Sequence, residues 1–180
     1  MMRKSWRSGE LSLNLKIKGR VWKFGNDINT DLIIAGKYKL SITDIGELSK
    51  HAMEALIPGF AEKIKKDDLI VAGRNFGCGS SREQAPLVLK HIGIGAIIAE
   101  SFARIFYRNA INIGLPVIEC KETNKIENGD LLEASLSEGY IKNLTKNEVY
   151  KFKPIPPALL EILVNGGLVN YVKKYGKLPW

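Results

Sequence analysis

The stretch "GRNFGCGSSREQAP", residues 73–86, sets three glycines, two serines and two arginines from the last residue of the apolar run "LIVAG" at 69–73 onward. A continuous apolar run is what a strand buried on both faces looks like, so the glycines stand where a buried strand hands the chain to a helix. Glycines let the main chain approach a ligand with no Cβ in the way, and a helix start carries unpaired N–H groups. Together they describe an anion site.

The familiar phosphate loops do not fit. A P-loop needs a lysine and then Ser or Thr after its last glycine, whereas Gly79 is followed by Ser80, Ser81 and Arg82. The dinucleotide fingerprint accepts Gly77 and Gly79 but meets Arg82 where its third glycine belongs, and an arginine there blocks close helix-to-strand packing. The serine-esterase elbow wants a glycine two residues past the serine, which neither Ser80 nor Ser81 has.

Composition narrows the class. The 180 residues suit one domain with a sizeable core, and 45% hydrophobic content is ordinary for a globular protein. No apolar run is long enough to span a bilayer and the N-terminal stretch is basic and polar, which leads us to expect a cytoplasmic protein. Cys78 and Cys120 are too few for a disulfide framework, an iron-sulfur cluster or a structural zinc site, so this chain is expected to bind no metal by itself. The net charge of +8 sits at the ends: residues 1–23 and 173–180 together carry +9, and the middle is balanced at −1. No basic reading face for nucleic acid is evident.

Along the chain, a polar basic tail over 1–14 precedes one domain over 15–180. "LKIKGRVWKF" alternates as a half-buried strand, and "GNDINTD" (25–31) is a loop followed by the short apolar segment "LIIAG". "TDIGELSKHAMEAL" places Leu48, Ala52, Ala55 and Leu56 on one helical face, with Asp44 and Glu47 spaced as a capping box. After the glycine loop, strand and helix alternate as in a sheet covered by helices. Ser81 and Gln84 have capping-box spacing for a helix that Gly93 ends. "IGAIIAE" is a strand, Ser101 caps "FARIFYRNAINIG", and "LPVIE" is another strand. Residues 121–153 read as short strands with turns at "ENGD" and "SEG", and "PPALLEILVNGGLVNYVKKYG" as a helix broken at Gly166 and Gly167.

At the loop, hydroxyls, backbone N–H groups and a planar guanidinium suit a carboxylate better than anything else in the sequence. The plainer alternative has the serines capping the helix and Arg82 pairing with a nearby acid such as Glu83, but capping does not explain three close glycines. A serine held against N–H groups and an arginine also has its alkoxide stabilised. The only histidines, His51 and His91, lie in helical segments away from it, and no triad can be read. The constellation is therefore expected to be completed by another chain.

"GNDINTDLIIAGKY", "GRNFGCGSSREQAP" and "ESFARIFYRNAINIGLPVIEC" resemble, in order and spacing, the small subunits of 3-isopropylmalate dehydratases, separate-chain counterparts of the swivelling domain of aconitase. The resemblance covers about residues 19–120 and extends more weakly to the end. It implies an α/β fold, a three-layer β/β/α swivelling domain, that closes over a large subunit carrying a four-iron four-sulfur cluster. The cluster's open iron would act as Lewis acid on the substrate while a small-subunit serine moves a carbon-bound proton. That serine corresponds to Ser80, with Arg82 beside it steadying the alkoxide. Ser81, and Thr30 and Asp31 on the opposing loop, would contact the substrate. Lys37, Tyr38 and Lys39 of "AGKYKLS" would face its variable arm.

Three departures stand out. Gln84 replaces the family's usual histidine, the usual "IIP" appears as Ile33, Ile34 and Ala35, and the arginine that follows it is represented by Lys37. Cys78 is normal for stand-alone small subunits, whereas aconitases proper tend to carry an acid there, which favours isopropylmalate over citrate. Leu40 and Tyr38 suit an apolar arm, while Lys37 or Lys39 suits the extra carboxylate of homoaconitate, so both substrates stay open. A non-catalytic RNA-binding module is the reading from a different class.

Overall fold

A computed structural model describes residues 15–180, and the tail expected over 1–14 lies outside the described residues. Seven strands form one mixed sheet in the order β4-β3-β2-β1-β5-β6-β7. β1 (Lys16–Lys23) exposes Lys16, Lys18 and Arg20 and buries Val21, as its alternation predicts. β2 (Leu69–Ala72) and β3 (Ala96–Ala99) are buried at every residue, as continuous apolar runs require. These two pair in parallel with each other, β2 with β1 and β3 with β4 (Val117–Glu119). On its other edge β1 pairs antiparallel with β5 (Leu131–Ser135), which continues through β6 (Tyr140–Asn143) to β7 (Glu148–Lys151). β1 thus belongs to both a parallel, helix-covered half and an antiparallel meander, and the α/β swivelling-domain class expected from the sequence holds.

Short helices α1 (Thr30–Ile33), α2 (Gly36–Ser41), α3 (Ile45–Ser49) and α4 (Phe60–Lys63) fill the connection from β1 to β2. The crossovers are α5 (Gln84–His91) between β2 and β3 and α6 (Arg104–Asn112) between β3 and β4. α7 (Pro157–Val164) and α8 (Leu168–Tyr175) close the chain and pack against α6. The Lys90 ammonium donates to the carbonyls of Ile113 and Gly166, so one cation joins the C-terminal ends of α6 and α7 to α5. Burial at that junction lowers the Lys90 pKa. Among the described residues no helix is long and apolar enough to cross a membrane.

Several local expectations are corrected. The helix predicted over "TDIGELSKHAMEAL" is confined to Ile45–Ser49. Asp44 does cap it, accepting from the Glu47 N–H at 2.9 Å, but Met53 turns left-handed (φ 55°) and its N–H bonds Ile33. Leu48 and Ala52 are buried and Ala55 and Leu56 are not. "LIIAG" opens in a helical turn, because Asn29 caps it through the Leu32 N–H at 3.0 Å. Ser81 caps nothing: α5 begins at Gln84 and its cap residue, Glu83, makes no side-chain bond. Ser101 does not cap α6 either, since its hydroxyl accepts from the Asn75 N–H at 2.9 Å. The glycine break near the C-terminus is real, with Gly166 and Gly167 at φ 77° and 127°, and a full helix follows it.

The glycine loop is seated on α6 by aromatic packing. Phe76 is fully buried with ring centroids 6.0 Å from Phe102 and 5.3 Å from Phe106, both edge-on. Gly77 lies directly on Phe106: a Cβ built there would stand 2.2 Å from Cγ of that ring, and its φ of 78° disfavours any side chain. Cγ is at the root of the ring and cannot swing away. Gly77→Ala is therefore expected to cost about 3 kcal/mol from overpacking and left-handed strain together. Urea unfolding of the two chains tests this, and a loss below about 1 kcal/mol would show that the loop and α6 yield to each other.

Candidate active site

The site is an extension of strand pairing beyond the sheet. Past the ends of β1 and β2 the two loops stay zipped: Phe24 N–H to Val71 C=O at 2.8 Å, Gly73 to Gly25 at 3.0 Å and Asp27 to Arg74 at 2.9 Å. The ladder ends with Gly77 N–H on Ile28 C=O at 2.7 Å and Thr30 N–H on Cys78 C=O at 2.8 Å. The loop after β3 joins on the other side, Phe76 N–H bonding Ser101 C=O at 3.0 Å and Ala103 N–H bonding Phe76 C=O at 2.9 Å. All three loops leave the C-terminal ends of parallel strands, where open α/β sheets place their ligands.

This zipper carries Thr30 and Ser80 to each other although they are 50 residues apart. Thr30 is 2% exposed, and its hydroxyl lies 3.1 Å from the Ser80 carbonyl and 3.3 Å from the Ser80 Oγ. Ser80 and Ser81 themselves are exposed. Among the described residues the N–H groups of Ser80, Ser81 and Arg82 make no hydrogen bond, so donors line the loop as the bare backbone promised. A positive φ of 95° at Gly79 makes the turn that presents them.

Arg82 does not pair with Glu83. Its Nη1 donates to Asp31 Oδ1 at 2.6 Å and to the Ile34 carbonyl at 3.0 Å, crossing to the loop after β1. The guanidinium holds the Asp31 carboxyl below the usual carboxylate range. Asp31 Oδ1 also accepts from the Gly36 N–H, the first residue of α2, at 3.3 Å.

A cleft of about 310 Å³ is lined by Thr30, Ser80, Ser81 and Arg82 together with Arg104 and Asn109 of α6. Sequence reasoning missed Arg104 and Asn109. The available signal was position, since a helix that follows β3 begins at the same edge of the parallel sheet. A second cleft of about 170 Å³ holds Asp31, Lys37 and Tyr38 with His51 and Glu54. There Tyr38 stacks on His51 at 3.8 Å and 11°, His51 Nδ1 lies 2.6 Å from a Glu54 carboxylate oxygen, and the Lys37 ammonium sits 4.7 Å from the Tyr38 ring centre. The His51 contact holds the Glu54 carboxyl below its ordinary range. Lys39 lines neither cleft. His51 therefore lies away from Ser80, and His91 ends α5.

The residues present do not fit an iron-sulfur cluster. Cys78 is half-buried in the loop and Cys120 is buried in the core, where desolvation pushes its thiol up, away from the thiolate a metal needs. Among the described residues no group of three or more His, Cys, Asp or Glu side chains converges.

Comparison with known proteins bears on this arrangement. Residues 28–123 match the aconitase C-terminal domain family, spanning the far end of the first zipped loop, the whole of the second and α6. The small subunit 1 of 3-isopropylmalate dehydratase from Archaeoglobus fulgidus is 61% identical over 86% of this chain and 96% of its own length. The methanogen homoaconitase small subunit of Methanothermobacter thermautotrophicus is 56% identical over 88% of this chain and 91% of that protein. The crystal structure of a 3-isopropylmalate dehydratase from Methanocaldococcus jannaschii superimposes with a TM-score of 0.84 at 51% identity, covering 90% of this chain and 96% of that one. With relatives this similar over nearly their whole length, and the domain match lying on the residues that build the cleft, the chain belongs to the family of 3-isopropylmalate dehydratase small subunits, within the aconitase C-terminal domain class.

Proposed function

We propose that this chain is the small subunit of a two-chain hydro-lyase that interconverts 2-isopropylmalate and 3-isopropylmalate by dehydration and rehydration, a step of leucine biosynthesis. The observation that carries this reading is the placement of the exposed Ser80 Oγ in one cleft with unpaired N–H groups and with Arg82. An elimination next to a carboxylate needs those parts: a base for the carbon-bound proton, and cations and donors for the negative charge.

In this scheme Ser80 acts as its alkoxide: Oγ takes the proton from the carbon adjacent to the one that bears the hydroxyl, the C–H electron pair forms the double bond, and the C–O pair leaves with hydroxide, which takes a proton from solvent and departs as water. Rehydration runs the same steps in reverse, Ser80 returning its proton and water supplying the hydroxyl, with their carbons exchanged. The Thr30 hydroxyl at 3.3 Å can turn its single proton from the Ser80 carbonyl toward the Oγ while that atom carries the alkoxide charge. Arg82 and Ser81 hold a substrate carboxylate. We assign the four-iron four-sulfur cluster to a large partner subunit, because the donor set here does not fit it; once bound there it supplies the Lewis acid that assists departure of the hydroxyl.

For the arm of the substrate we assign the second cleft, with Lys37 and Tyr38 as its readers. Lys39, the other candidate cation, lies outside both clefts. The homoaconitase relative keeps an arm with an extra carboxylate in view as the second substrate.

The isolated chain is expected to dehydrate neither isomer and to gain activity on mixing with a cognate large subunit under anaerobic conditions; turnover by this chain alone would overturn the division of labour. In the complex, Ser80→Ala is expected to lower kcat by roughly 10³-fold while costing about 1 kcal/mol of stability or less. Near-wild-type kcat in that variant would remove Ser80 as the base. Arg82→Lys is expected to raise KM about tenfold or more, since an ammonium cannot reproduce bidentate carboxylate binding.

Specificity is tested with Lys37→Leu and Lys39→Leu, measuring kcat/KM on isopropylmalate and on homoaconitate. A roughly two- to fivefold loss confined to homoaconitate in Lys37→Leu is what one exposed ion pair allows. The same loss in Lys39→Leu alone would move the reader to that position, and equal values everywhere would take both lysines out of the arm site.

A further inference from the structure

Asp31 stands between the two clefts, and its chemistry does not suit contact with the substrate. Held ionised by Arg82, it would meet a dianionic substrate with like charge, which costs energy wherever water is excluded. Its Oδ1 is already taken twice, by Arg82 Nη1 at 2.6 Å and by the Gly36 N–H at 3.3 Å.

The donor count on Arg82 completes the picture. A guanidinium has five N–H donors, and both on Nη1 are engaged, one by Asp31 and one by the Ile34 carbonyl. Among the described residues Nε and Nη2 have no partner. Those two nitrogens form one edge of the planar fork, the edge that receives a carboxylate bidentately. The arginine is thus clamped by one corner with a binding edge left open, and its side chain is only 14% exposed.

The clamp also reaches α2. Gly36 is the first residue of the helix that carries Lys37 and Tyr38, and a Cβ built on it would lie 3.4 Å from Arg82 Nη2 and 3.6 Å from Asp31 Oδ1. One carboxylate oxygen therefore joins the side chain that would grip the substrate's carboxylate to the backbone of the helix that would read its arm.

We propose that Asp31 is a positioning residue that aims the open edge of Arg82 and, by sharing one oxygen with the Gly36 N–H, couples the carboxylate grip to the arm-reading helix. The coupling to substrate rests on the dehydratase reading above, whereas the clamp on Arg82 does not. With Asp31 removed, Arg82 loses its aim but Ser80 and Thr30 are untouched, so the loss falls first on the grip on the substrate's carboxylate.

Two measurements test it. On the full chain alone, ¹⁵N spectra of the arginine guanidinium groups should resolve separate Nη signals for Arg82, and Asp31→Asn and Asp31→Ala should collapse them through free rotation. In the complex with a large subunit, Asp31→Ala should raise KM about tenfold and hold kcat within about threefold, the signature of lost binding. Gly36→Pro deletes the N–H at a first helical position, where proline is accepted, and Ala35 is already extended at φ −64° and ψ 140°. Compared with Gly36→Ala, it should raise KM about threefold when Asp31 is present and not at all in Asp31→Ala, because the two then share one interaction. An unchanged Arg82 signal, a loss in kcat at constant KM, or additive effects of Gly36→Pro and Asp31→Ala would each overturn the proposal. If the wild-type complex does not turn over isopropylmalate, the functional reading falls and the guanidinium spectra still decide the clamp.

Discussion

The parallel pairing of β1 with β2 is the constraint from which the site hangs. Val21, Trp22 and Lys23 lie opposite Leu69, Ile70 and Val71, and because the strands run the same way, both chains leave the sheet at one edge. Backbone groups just beyond a sheet still need partners, and the two loops satisfy each other as far as Thr30 and Cys78. Peptide groups thus bring the "NTD" and "GCGSSR" segments together, and side-chain bonds such as Arg82 to Asp31 are added across the same seam. That explains how an exposed loop holds side chains 50 residues apart within hydrogen-bonding distance. It also explains the glycines, since a ladder continued this tightly over Phe106 leaves no volume for a Cβ at Gly77.

Burial then divides the labour within the loop. Phe76, fully buried, pins the loop to Phe102 and Phe106, and four residues later Ser80 is exposed. Between them Gly77 and Gly79 take left-handed conformations that reverse the chain outward. A rigid anchor next to an exposed hydroxyl is how a fold fixes a reactive group without burying it.

The sequence made this much legible because the signals were chemical or strictly periodic. "LIVA" is apolar at every position and became a fully buried strand, and the glycine, serine and arginine residues marked in advance the loop that lines the cleft. Other readings failed where a local rule met a distant competitor. Ser101 has the composition of a cap, yet its hydroxyl serves Asn75, and Ser81 caps no helix among the described residues because α5 begins three residues later. The helix expected to run past Ala52 gives way to turns after Ser49, and Met53 is left-handed with its N–H committed to the distant Ile33 carbonyl. α1 and α2 are too short to show a period. The Arg82–Asp31 pair spans 51 residues, and no pattern in either segment favours that acid over Glu83.

The same geometry limits what the chain can do alone. Ser80 and Ser81 face water, and a serine alkoxide in water has no advantage over hydroxide: the donors around it compete with solvent at high dielectric. Their effect grows only when a surface closes the cleft and expels that water, since an interaction of given geometry strengthens as the effective dielectric falls. Arg82 is already largely shielded at 14% exposure, so its electrostatic part is prepared in advance, while the serine is left to be covered. On the reading we propose, a largely shielded cation beside an open hydroxyl is a poor site by itself and a ready one under a partner, which would tie the proton transfer to the moment of closure.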